Sequence, residues 1–156
     1  MKFSFILEPV SLKVYIDTSV FNRPFDDQTQ PRIALENQAL QIVLRLVETN
    51  AVEMVNSSVL EYENSRNPFP LRQQWMERQL QLATLYQTVD DQITERATEL
   101  VQQGLGEVDA FHVACAEAAG SDYFLTCDDR LIRRYQGQVR AINPINFILE
   151  ATGENL

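Results

Sequence analysis

The sequence predicts an α/β domain: a three-layer α/β/α sandwich with a central parallel sheet of four or five strands. Three observations carry this. Short β-prone runs alternate with longer stretches of helical periodicity along most of the chain. Val14-Tyr15-Ile16 is wholly apolar and stops at a carboxylate, Asp17, as a buried strand ending at a sheet edge does. Val108 to Ala119 is small and apolar almost all round, which suits a helix packed closely on a sheet. Right-handed crossovers then place helices on both faces, with Val14–Ile16 central.

The elements follow in order. Met1 to Ser11 is open between an added strand edge and a loose arm. Phe21 to Pro31, with two prolines and the pair Asp26-Asp27, reads as a loop. Ile33 to Thr49 is helical, with Leu35, Ala39, Ile42, Val43, Leu46 and Val47 on one face, and Asn50 stops it. Val52 to Val55 is the second strand. Ser57 or Ser58 starts a short helix through Glu61 and Glu63, ended by Asn67-Pro68 and Pro70.

Leu71 to Leu85 is a second long helix with Trp75, Met76, Leu80 and Ala83 inward. Tyr86 to Val89 is a strand stub or an extended connection. Ile93, Ala97, Leu100 and Val101 mark another amphipathic helix, which Gly104 ends, and Gly120 ends the small-residue helix. Tyr123 to Thr126 is a strand, and Asp128 opens a short helix through Leu131 and Ile132. Val139 to Ile142 is the last strand, before Pro144 and a helix around Ile145 to Leu149. No repeat, linker or low-complexity segment interrupts the series, so residues 1–156 read as a single domain, with 1–11 as an N-terminal extension.

Composition narrows the function. Hydrophobic residues make up 45% of the chain, enough for a core. The net charge is -9, from 13 Lys plus Arg against 22 Asp plus Glu. That balance excludes a protein that coats nucleic acid through bulk charge and leaves room for a cation-binding acidic pocket or a basic partner. Cys115 and Cys127 form neither a disulfide framework nor a zinc motif and read as free thiols of a cytoplasmic protein. His112 is the only histidine, which excludes multi-histidine metal sites. The apolar run from Phe3 to Leu7 is too short for a signal peptide, and no run is long enough to span a membrane.

Four acids fall where this fold gathers them. Asp17 follows the first strand, Glu63 lies in the helix after the second, Asp109 opens the small-residue helix, and Asp128 follows the strand from Tyr123. In a parallel sheet, strand ends of one kind share an edge, which is where such sheets hold ligands. Each acid alone has a plainer reading: Asp109 as a helix-start acid, Asp128 as an N-cap, Glu63 as a solvated helix residue. The conjunction is what counts. Converging carboxylates repel, and a divalent cation relieves the repulsion. Oxygen donors without soft ligands suit Mg²⁺ or Mn²⁺. Two such ions about 4 Å apart can activate water and stabilise the leaving oxygen of a phosphodiester, which is nuclease chemistry.

DTSVFNRP from Asp17, SSVLEYENSRNP from Ser57 and DAFHVACAEAAGSDYFLTCDDRL from Asp109 together resemble the PIN domain family, VapC-like toxin ribonucleases among them. The third segment is the most specific. The resemblance runs from about Val14 to Pro144. It implies a metal-dependent RNase that cuts single-stranded RNA, and for many bacterial members a toxin–antitoxin pair. It also implies Asp17, Glu63, Asp109 and Asp128 as the catalytic and metal-binding acids, with the hydroxyls of Ser19 and Thr126 in support. Spacing from Ser57 favours Glu63 over Glu61, and the Thr-x-Asp pattern favours Asp128 over Asp129. Glu107 is either an outer acid or a surface residue.

His112, one turn after Asp109, could bond an acid or a substrate phosphate, or be a satisfied structural histidine. Arg130, Arg133 and Arg134 could hold phosphate or balance charge. Cys127 has no base beside it to make it a nucleophile.

Two rivals stand beside the ribonuclease. One is a non-catalytic PIN-like module that binds a partner. The other is a phosphate-transfer domain of receiver or phosphohydrolase type. A receiver wants a late lysine, and none follows Lys13; a phosphohydrolase wants a second Asp where Ser19 stands. Surplus apolar residues on the helices from Ile33 and Leu71 predict a homodimer. The acidity predicts that an antitoxin would carry a basic inhibitory segment.

Overall fold

The computed structural model describes residues 11–153, so the alternatives for Met1 to Ser11 lie almost wholly outside the described residues. Five strands form one parallel sheet: β1 (Leu12–Ile16), β2 (Val52–Ser57), β3 (Leu85–Gln87), β4 (Tyr123–Leu125) and β5 (Arg140–Ile142), in the order β3-β2-β1-β4-β5. β1 is central, as its apolar run predicts, and Val14, Tyr15 and Ile16 have no exposed surface.

The helices are α1 (Thr18–Phe21), α2 (Pro31–Glu48), α3 (Ser58–Ser65), α4 (Pro70–Leu80), α5 (Asp91–Gln102), α6 (Glu107–Ala118), α7 (Asp129–Arg134) and α8 (Pro144–Gly153). α2 and α8 pack together on one side of the sheet, and α5 and α6 pack together on the other. Right-handed crossovers require this, because β1 to β2 to β3 runs one way across the sheet and the return to β4 runs the other. The reversal leaves a crevice between the carboxyl ends of β1 and β4.

Local chemistry sets the boundaries. Proline stands in the first turn of α2, α4 and α8, where its missing N–H costs nothing. Ser57 caps α3 by accepting from the Leu60 amide, and Asp90 caps α5 by accepting from Ile93. Asn50, Gly104 and Gly120 have positive φ where α2, α5 and α6 give way to loops, matching the stops read from the sequence.

Four expectations need correction. Phe21 to Pro31 is not a plain loop: α1 reaches Phe21, and Arg23–Phe25 makes a 3₁₀ turn. The helix expected to reach Leu85 stops at Leu80, Ala83 lies outside it, and Leu85 begins the edge strand β3 instead. Val101 on α5 is exposed rather than inward.

The fourth concerns the buried face of α2, which is rotated from the one expected. Leu40 and Leu44 are buried with Ala39, Val43 and Val47, while Leu35 and Ile42 are exposed. The cause is Glu36, a carboxylate with no exposed surface that lies within the inward stripe. It accepts from Arg23 Nε at 2.7 Å, Arg32 Nε at 3.0 Å and Asn143 Nδ2 at 2.5 Å. A charge buried in this way is tolerated because three donors satisfy it.

Candidate acidic site at the carboxyl edge of the sheet

Asp17 follows β1, and its N–H bonds the Leu125 carbonyl of β4 at 2.9 Å, so the central strand fixes the backbone of the residue. It precedes α1, yet its side chain makes no capping bond. The carboxylate faces the crevice, where Oδ2 accepts from Ser19 Oγ at 2.8 Å and from Thr126 Oγ1 at 2.9 Å. Ser19 Oγ in turn accepts from the Cys127 N–H at 3.1 Å, and Thr126 Oγ1 from the Asp128 N–H at 3.1 Å. The two hydroxyls therefore stitch the β1 and β4 loops together around Asp17.

Asp128 does cap its helix: Oδ1 accepts from the amides of Arg130 and Leu131 at 2.9 and 3.2 Å. Glu63 is half-buried near the end of α3, and its Oε1 accepts from Thr18 Oγ1 at 2.5 Å and His112 Nε2 at 2.6 Å. Thr18 thus orients Glu63 and not Asp17. Burial would raise the Glu63 carboxyl, but the His112 hydrogen bond, the ring's charge when protonated and the Thr18 hydroxyl outweigh it and hold the group below its ordinary value.

Asp109 lies in the first turn of α6, and no hydrogen bond reaches its carboxylate among the described residues. Burial, and then the charges of Asp17 and Asp128, push it up to about 6; Glu63 adds to the rise and His112 opposes it. The other three acids read from the sequence therefore all act electrostatically on Asp109, and Asp109 and Asp128 line the same narrow cleft with Arg130 and Arg134.

The remaining acids are drawn elsewhere. Glu61 bonds Tyr86 Oη at 2.7 Å and Asn56 Nδ2 at 3.2 Å, on the side of the edge strand. Asp129 takes both Arg32 terminal nitrogens at 2.8 Å. Glu107 is exposed at the start of α6. Cys115 and Cys127 are free and buried, and burial pushes both thiols up to about 12, which removes them as nucleophiles at neutral pH.

A support beneath the site was not foreseen. Tyr15 Oη lies 2.6 Å from Ser57 Oγ and 2.7 Å from His112 Nδ1, and all three residues are buried. An ionised Glu63 only accepts, so Nε2 of His112 donates to it, an assignment made from the bonding pattern. His112 is thus buried like a structural histidine and also bonded to an acid. The cue for Tyr15 is a phenol in a wholly buried strand, since such a hydroxyl needs a partner.

The donor set fits a hard divalent cation. Among the described residues, Asp17, Glu63 and Asp128 each commit one carboxylate oxygen to hydrogen bonds and leave the other unbonded, while Asp109 leaves both. Among the described residues no three acidic, His or Cys side chains close into a ready cage. The acids form a shared field of negative charge whose cost a cation would lift.

A parallel α/β sandwich with a carboxylate cluster at its topological switch point is the class defined by this fold and site. The PIN domain model matches residues 14–137, and the chain belongs to that family, whose members are generally nucleases. No curated protein matches the chain in sequence.

Similar solved structures include FitAcB from Neisseria gonorrhoeae, at 15% identity and TM-score 0.52, covering 84% of this chain and 97% of that one. VapBC2 from Rickettsia felis, bound to a DNA fragment from the promoter, gives 17% identity and TM-score 0.52, covering 85% and 98%. PAE2754 from Pyrobaculum aerophilum gives 15% identity and TM-score 0.50, covering 92% and 99%. At these identities the likeness is one of fold. Among the described residues no helix is long and apolar enough to cross a membrane.

Proposed function

We propose that this chain is a metal-dependent endoribonuclease that cuts single-stranded RNA, of the toxin type, acting in the cytoplasm. The observation that carries the reading is the set of four carboxylates at one sheet edge, three of them held by a single oxygen and the fourth unbonded. Asp17, Glu63, Asp109 and Asp128 would hold Mg²⁺ or Mn²⁺. When bound, the cation supplies charge that acidifies a water and stabilises the leaving oxygen of the phosphodiester.

The chain's own groups do the rest. Ser19 and Thr126 fix the rotamer of Asp17. Thr18 and His112 aim Glu63 and keep it ionised. Arg130, beside Asp109 and Asp128, would hold a substrate phosphate, with Arg134, whose Nη1 bonds the Gly104 carbonyl at 2.9 Å, next to it. An antitoxin would reach this edge with a basic segment whose Arg or Lys competes with the cation, and the active form would be a homodimer.

The test is cleavage of an unstructured RNA in Mn²⁺ and in a chelator, with thermal melting in parallel. Asp17→Asn keeps the shape and removes charge, so cleavage should fall on the order of a hundredfold or more. The rise in melting temperature that Mn²⁺ gives the parent should also shrink. Asp129→Asn and Glu61→Gln, whose carboxylates bond Arg32 and Tyr86 and none of the groups that hold the four acids, should matter much less. Undiminished cleavage in the chelator or by Asp17→Asn defeats the metal mechanism. A parent protein that cuts no RNA transfers the reading to a non-catalytic binding module.

A further inference from the structure

We propose that the apolar cleft between α3 and α6 receives one unstacked nucleobase of the RNA strand beside the acidic site. The inference rests on the ribonuclease reading and adds a base subsite to it. The cleft, of about 290 Å³, is lined by Val59, Tyr62, Val89, Glu107, Val108 and Phe111. It neighbours the site around both helices: Tyr62 precedes Glu63 on α3 and Val108 precedes Asp109 on α6, each one step of about 100° around the helix axis. A strand whose phosphate meets the acids has its neighbouring base within reach of these walls.

The chemistry of the cleft suits a base better than a phosphate. Tyr62 is 60% exposed, and no hydrogen bond reaches its hydroxyl among the described residues. A tyrosine ring held at the surface offers a stacking face to any base. Glu107 at the mouth repels phosphate and accepts from the N–H groups of a base edge. Arg66 lies with its guanidinium carbon 5.7 Å from the centre of the Tyr62 ring, and no carboxylate pairs with it among the described residues. It is placed to meet the phosphate that flanks a stacked base.

The charge of the whole chain points the same way. The net charge is -9, and Arg23, Arg32, Arg96 and Arg140 are already committed to acids, which lowers the share of strand affinity that bulk charge supplies. Affinity for a single strand must then come from stacking to a larger degree than charge provides.

The experiment is fluorescence anisotropy of a labelled oligouridylate titrated with the protein in EDTA, which separates binding from cleavage. Tyr62→Ala should weaken binding roughly tenfold, and Tyr62→Phe should stay within about twofold. Arg66→Ala should weaken binding and lower the salt dependence by about one counterion. An oligonucleotide of abasic riboses should bind the parent as poorly as oligouridylate binds Tyr62→Ala, with no further loss on combining them.

Equal binding by Tyr62→Ala and the parent, or no binding by the parent, overturns the subsite. So does a halved mass for Tyr62→Ala by light scattering, which would assign the cleft to a second copy of the chain. The two readings fail separately. A parent that cuts nothing but loses RNA through Tyr62→Ala keeps the subsite and drops the nuclease. Cleavage that needs Asp17 but ignores Tyr62 does the reverse.

Discussion

An aspartate surrounded by three other carboxylates holds its proton more tightly than a free one, and Asp109 is that residue here. Its carboxyl stands at about 6 against an ordinary 3.8, through burial and the charges of Asp17 and Asp128. The folded state therefore binds the proton more tightly than the unfolded chain does. Below about pH 3.8 both states are protonated and Asp109 costs nothing. As pH rises through the interval to 6 the unfolded chain ionises first, and the fold loses stability. Asp109→Asn should accordingly raise the melting temperature of the metal-free protein by a few degrees at pH 7.5 and by almost nothing near pH 4. Melting curves at the two pH values, in EDTA, check the sign; an equal gain at both would place the effect elsewhere. The positions of Asp17, Asp109 and Asp128 were legible because each sits at a strand end or a helix start, and that of Glu63 from its spacing after Ser57 in the helix that follows β2. The buried support of Ser57, Tyr15 and His112 was not, because those residues are 42 and 97 positions apart from Tyr15 in the chain and only the register of β1 with β2 and the packing of α6 bring them together.

At the scale of elements, α2 shows what a sequence conceals. Its periodicity marks the helix, yet the stripe that faces inward includes the charge of Glu36, and an apolar-only count turns the helix the wrong way. The alternation of strands and helices, their order and most of their ends were readable, since apolar runs, prolines, caps and positive-φ turns are local signals. The exceptions were set by distant partners: Glu36 belongs inside only because Arg23, Arg32 and Asn143 meet it there. Burial would raise its carboxyl, and those donors hold it below its ordinary value instead. Arg32 also grips Asp129 at the start of α7, so α2 braces the loop that carries Thr126 and Asp128. Glu36→Ala should leave Arg23 without its buried partner and cost about 3 kcal/mol in urea unfolding. Asp129→Asn breaks only an exposed pair and should cost under about 1 kcal/mol. If Glu36→Ala costs no more than Asp129→Asn, the brace is not a source of stability.

At the scale of the molecule, the apolar surface of the helices remains to be covered. Leu35 and Ile42 on α2 are turned outward, Leu71 at the start of α4 is 79% exposed, and Phe69 stands beside it. The Arg72 guanidinium lies over the Phe69 ring at 4.3 Å and over Phe25 at 5.2 Å, so the α4 patch combines aromatic faces with a cation that no carboxylate pairs among the described residues. Aromatic residues and arginine are the types enriched where proteins meet. A two-fold contact through such a patch is self-complementary, because each copy offers the same apolar residues. It must also bring together two chains that each carry a net charge of -9. That repulsion is long-range and screened by salt, whereas the apolar contact is not. The dimer should therefore tighten as NaCl rises from about 20 to 200 mM, across which the screening length shortens severalfold. Light scattering at micromolar concentration should report twice the chain mass at the higher salt. Leu71→Glu, which places a further negative charge in the contact, should return it to a single chain without lowering the melting temperature of the monomer. A single-chain mass for the parent at every salt concentration would mean that these side chains are covered by nothing in solution.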